Sequence, residues 1–119
     1  MKKPLSFILL ILLATNCTSV SEDDLIDRTP IVEVIAYQGH VKSIIDNNCI
    51  SCHSMPPVNG APMSLISYND VKSALLNRAL LERISSDDLG FLMPFGGPRL
   101  PQNLIDIVFQ WETDGLLEE

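Results

Sequence analysis

The residues of this chain best suited to chemistry are Cys49, Cys52 and His53, which stand in "DNNCISCHSM" at the spacing C-x-x-C-H. Thiols three positions apart lie one helical turn from each other on the same edge, and the neighbouring imidazole carries a lone pair for a metal. Several chemistries use such a trio. The thiols can add across the vinyl groups of a haem as thioethers, which leaves the histidine to ligate the iron. Zinc needs a fourth Cys, His or carboxylate and normally a second closely spaced pair, whereas the chain offers only His40 and scattered acids. A thioredoxin-like dithiol belongs in a βαβ context, and no strand pattern of useful length occurs here. A disulfide between the two cysteines would close almost no loop and stabilise little. Covalent haem is the reading that uses all three residues and needs no further Cys or His pair.

An iron held by His53 has a second axial position. Met93, in "LMPFGGPRL", suits it, because a thioether on a proline-stiffened loop reaches iron without a charge to desolvate. The stretch between His53 and Met93 is long enough for one helical region to wrap the cofactor edge. Its rivals are Met55, too near His53 to reach the opposite face, Met63, better suited to a core, and His40. Arg99 is placed either to reach a haem propionate or to stay in solvent. A vacant or labile sixth position is the competing outcome, and it would suit gas sensing or the haem module of a larger oxidoreductase.

Helices must position these groups. Val34, Tyr37, Val41, Ile44 and Ile45 recur at helical spacing between Ile31 and Asn48, which predicts a helix that delivers the motif at its C-terminal end. A loop rich in Pro and Gly follows, "SMPPVNGAPMSL". Ser67 or Asn69 then caps a stretch with Val71, Ala74, Leu75, Leu81 and Ile84 inward, its imperfect period allowing two short helices. Pro101 opens a last helix with the stripe Leu104, Ile105, Val108 and Trp111, and Gly115 stops it.

The N-terminus has a different task. Lys2 and Lys3 precede the apolar run "LSFILLILLA", which is too short to span a bilayer, so residues 1–16 read as a secretory signal. The stretch "LLATNC" resembles the lipobox of bacterial lipoproteins, in which Cys17 would become the acylated first residue. It departs from that pattern at Asn16, where a small residue is usual, and at Leu13, which sits one place early. The alternatives are an ordinary signal cut elsewhere or an uncleaved anchor. Residues 17–30 carry charge without periodicity and read as an acidic tether. Loss of Lys2 and Lys3 with the signal moves the formal charge from −7 to −9. Such an acidic surface excludes nucleic acid as a partner and favours proteins with a basic docking patch.

Three separated pieces, "CISCH", "NGAPMSL" and "LMPFGGPRL" with the helix ending in Trp111, give the chain its resemblance to the class I c-type cytochromes, within them the small monohaem domains of bacterial exported proteins. The resemblance covers residues 35–117, and only its first piece is specific. It implies an all-α fold, a small cytochrome c domain of three to five helices wrapped around one covalently bound haem c, spanning residues 31–119. Cys49 and Cys52 would carry the thioethers, His53 would be the proximal iron ligand and Met93 the distal one. Pro62 would offer its carbonyl to the His53 N–H, Leu65 would lie against the ring, and Trp111 would pack on the first helix near Tyr37. The implied function is one-electron transfer rather than catalysis, in the periplasm or at the cell surface, on a membrane-anchored lipoprotein.

Overall fold

The computed structural model describes residues 33–119 of the chain, so the expected signal, the acidic tether and Cys17 lie outside the described residues. Val34 and Ile35 lie outside helical structure, and Ala36 after them is extended (φ −115°, ψ 157°). Extension alternates the faces, so Ile35 is buried while Val34 is 65% exposed. Val34 was expected on the inner face of a helix and is not there. Ala36 instead forms a parallel bridge with Leu117, continued by Tyr37 N–H donating to the Leu117 carbonyl (2.9 Å) and Gln38 N–H to that of Glu118 (3.0 Å).

Helical structure begins with a π-turn, Tyr37–Val41, and passes into α1, Lys42–Asn48, which buries Ile44 and Ile45. α2, Tyr68–Asn77, is opened by a reciprocal cap in which the Ser67 hydroxyl accepts from Asp70 N–H (3.2 Å) and the Asp70 carboxylate accepts from Ser67 N–H (3.1 Å). Ala79 in the left-handed region (φ 55°) then breaks the helix. α3, Leu80–Ser85, restarts at a new phase, which is why Leu80 rather than Leu81 is the fully buried leucine beside Ile84. α4, Gln102–Thr113, buries Ile105, Val108 and Trp111 and ends at Gly115, whose φ of +92° only glycine adopts freely. The described residues thus hold four α-helices and no strand, as an all-α fold requires. None of these helices is long and apolar enough to cross a membrane.

Three aromatic rings join the first and last helical segments. Tyr37 lies 5.8 Å from Trp111 and 5.6 Å from Tyr68 between centroids, and Tyr68 lies 6.2 Å from Trp111. The tail after α4 is strapped over them, with Trp111 Nε1–H donating to the Leu117 carbonyl and the Tyr68 hydroxyl to that of Leu116, both at 2.8 Å. Tyr37 pays for its place in the cluster, because its buried hydroxyl has no hydrogen-bond partner.

Trp111→Ala should therefore cost about 3–5 kcal/mol of unfolding free energy in a denaturant titration. Tyr37→Phe should raise stability by about 1 kcal/mol, since it deletes a desolvated polar group without emptying the core. Burial pushes the Tyr37 phenol above its usual 10.0, so the neutral ring's contribution is complete below pH 10 and is lost as pH rises through the folded-state value. Tyr37→Phe should accordingly flatten the decline of stability above pH 10.

Candidate functional site

α1 does not stop abruptly at Asn48. Cys49 N–H still donates to the Ile45 carbonyl (2.8 Å), and the Cys49 carbonyl accepts from both Cys52 N–H (3.1 Å) and His53 N–H (2.9 Å). The motif is thus one further helical turn, with the two cysteines stacked a turn apart and His53 directly after them. Cys49 and Cys52 are free thiols, both half-buried. Cys49 packs against the core, and desolvation pushes its thiol up to about 11. Cys52 is more peripheral, with Asn59 Nδ2 donating to its sulfur at 3.6 Å.

The loop after the motif is folded back onto it. Val58 N–H donates to the Cys52 carbonyl and Leu65 N–H to the His53 carbonyl, each at 2.9 Å. Between them, Asn59 and Gly60 adopt positive φ and close a turn with Ala61 N–H on the Val58 carbonyl (3.0 Å). This return brings the Met63 carbonyl to 2.8 Å from His53 Nδ1. A carbonyl only accepts, so Nδ1 carries the proton and Nε2 is left with its lone pair. The expected acceptor was Pro62. It is instead the next residue, because the left-handed turn at Asn59 and Gly60 delays the chain's passage past the imidazole, and Pro62 itself lies exposed. Leu65 is buried in the core immediately behind this contact.

Met93 stands on the second loop, half-buried and packed against the same core as Cys49 and Met63. Its N–H donates to the Arg83 carbonyl at 3.0 Å, while the Arg83 guanidinium lies 4.3 Å from the Phe91 ring centroid. Arg99 closes the loop from its other side, donating from Nε to the Ser85 carbonyl (3.0 Å) and from a terminal nitrogen to Gln102 Oε1 (2.9 Å). The rival donors are otherwise placed. Met55 is 67% exposed beside the motif, and both nitrogens of His40 are engaged, Nε2 with Glu33 (3.0 Å) and Nδ1 with the Ala36 backbone (3.2 Å).

Both loops leave large apolar side chains in solvent, Met55, Val58 and Ile66 on the first and Leu89 (75% exposed) and Phe95 (76%) on the second. Among the described residues, no three Cys, His, Asp or Glu side chains gather closely enough to hold a metal ion. The roles of the Met63 carbonyl, Arg83 and Arg99 in framing the loops had no sequence signal, since a main-chain acceptor and a loop-closing arginine look like any other residue. Comparison with known proteins yields no matching family model, no matching curated protein and no matching solved structure.

Burial of Cys49 has a direct readout. With its thiol held near 11 rather than at the usual 9.0, the folded, unloaded protein should alkylate at Cys49 about a hundredfold more slowly at pH 8 than the same chain in denaturant. Mass spectrometry of peptides containing Cys49 measures this, and equal rates in the two states would contradict the packing described.

Proposed function

We propose that this protein is a monohaem c-type cytochrome, an exported one-electron carrier anchored to a membrane by a lipid on Cys17, and not an enzyme. The observation that carries the reading is His53, whose Nδ1–H is tied to the Met63 carbonyl so that Nε2 is presented as a base, directly after two unpaired thiols one turn apart. Ligating histidines are characteristically oriented by such a bond from the other ring nitrogen. The thiols of Cys49 and Cys52 would be the covalent attachments, and His53 and the Met93 sulfur would hold the iron. Leu65 would pack near the proximal side. Met55, Val58, Ile66, Leu89 and Phe95 are exposed apolar side chains on the two loops, and a flat, largely apolar ring bound between those loops would cover such surface.

Bound haem c supplies a one-electron couple at its iron. The chain's part would be to offer two neutral donors, the His53 imidazole and the Met93 thioether, so that no place at the iron would be left for oxygen. Its negative charge, formally −7 over the whole chain, would steer redox partners with a basic patch and repel nucleic acid. A lipid at Cys17 would hold these encounters at the periplasmic or outer surface of a membrane.

Expressed with haem-maturation machinery, the protein should stain for covalent haem on a denaturing gel, and the Cys49→Ala, Cys52→Ala double variant should not. The ferric form should show the weak far-red band of sulfur bound to iron, and Met93→Ala should lose that band while keeping the stain. An unstained wild-type protein would refute the reading. A stained protein with a high-spin spectrum that shifts with carbon monoxide would instead favour a gas-binding or catalytic haem.

A further inference from the structure

The last carbonyls of a helix have no partner within it. In α3, two of them, those of Arg83 and Ser85, are taken by the loop that carries Met93. One partner is Met93 N–H itself (3.0 Å), and the other is Arg99 Nε (3.0 Å), fourteen residues beyond Ser85. A guanidinium at a helix C-terminus is also favoured by the dipole there. Arg99 is further oriented by Gln102 at the start of α4 and by Asp87, 3.6 Å from Nε at the loop's opposite end. Between these pins Leu92 is buried and Phe91 lies against the Arg83 guanidinium, while Leu89 and Phe95 stand in solvent and Gly96 adopts φ +73°.

We infer that Arg99 is a positioning residue for Met93: by bridging Ser85, Asp87 and Gln102 it closes the loop on the end of α3 and sets how often the Met93 sulfur is withdrawn from the core it packs against. This assignment rests on the proposed role of Met93 as iron ligand. Arg99 is not freely exposed as an arginine in solvent would be, because its Nε and one terminal nitrogen are engaged within the chain. A loop that opens more often leaves the sulfur's place available to a competing ligand, whose apparent affinity rises in proportion to the open fraction.

The test uses the haem-loaded, full-length ferric protein titrated with imidazole, following loss of the far-red sulfur band. Arg99→Ala should bind imidazole at least about tenfold more tightly than wild type. Arg99→Lys, which keeps the charge and one donor but not the planar fork, should recover part of the difference and also serves if Arg99→Ala folds poorly. Amide hydrogen exchange should quicken at Met93 in the same variants. Asp114→Ala, which removes the acceptor of Ile35 N–H far from this loop, controls for general loss of stability and should leave imidazole affinity within about twofold of wild type. Wild-type protein with the sulfur band, together with Arg99 variants that bind imidazole like wild type, would overturn the role of Arg99 while leaving the cytochrome reading intact. Equal tightening in Asp114→Ala would reduce Arg99 to a stability residue. Wild-type protein without haem or without the sulfur band would overturn both.

Discussion

The packing of Tyr37, Tyr68 and Trp111 under the C-terminal strap is the constraint on which the remaining geometry hangs. These rings come from the turn before α1, from α2 and from α4, so one cluster sets the mutual placement of three elements distant in sequence. Among the described residues, the motif and the methionine loop are attached to those elements. The C-x-x-C-H turn prolongs α1, the segment that faces His53 runs straight into the Ser67 cap of α2, and the Met93 loop ends where α4 begins. A shift of α1 against α4 would move the imidazole and the methionine relative to one another without altering either.

Around that frame the polypeptide solves the same problem twice. Each loop is long, rich in Pro and Gly, and lacks secondary structure of its own, so its shape has to come from bonds to the helices beside it. The first loop uses the carbonyls of Cys52 and His53 as its pins, and the second uses those of Arg83 and Ser85. In both cases unsatisfied backbone groups at a helix end become the docking points. What the helices themselves leave unpaired is what organises the irregular parts.

The sequence makes this division visible in an uneven way. The stripe Ile105, Val108 and Trp111 and the cap at Ser67 were legible because helical periodicity and a hydroxyl three residues before a carboxylate have direct local causes. The start of the fold was not. Val34 and Ile35 satisfy a helical pattern about as well as an extended one, and the partner that decides between them, Leu117, lies at the other end of the chain. The same holds for the site. Cys49, Cys52 and His53 announce themselves by type and spacing, whereas the acceptor for His53 depended on where the turn at Asn59 and Gly60 closes, a difference of one residue that composition does not encode.

The bond from His53 Nδ1–H to the Met63 carbonyl has a bearing on how such a chain can drift over evolutionary time. Its acceptor belongs to the main chain, and every amino acid carries the same carbonyl. No replacement of the side chain at position 63 removes it, so long as the path of the loop survives. Outside the positive-φ turn at Asn59 and Gly60 and the apolar Met55 and Val58, the side chains between His53 and Leu65 are correspondingly freer to change, and the imidazole keeps its tautomer and its aim through those changes. Two distantly related chains built this way would share an oriented histidine while retaining almost no alignable residues around it.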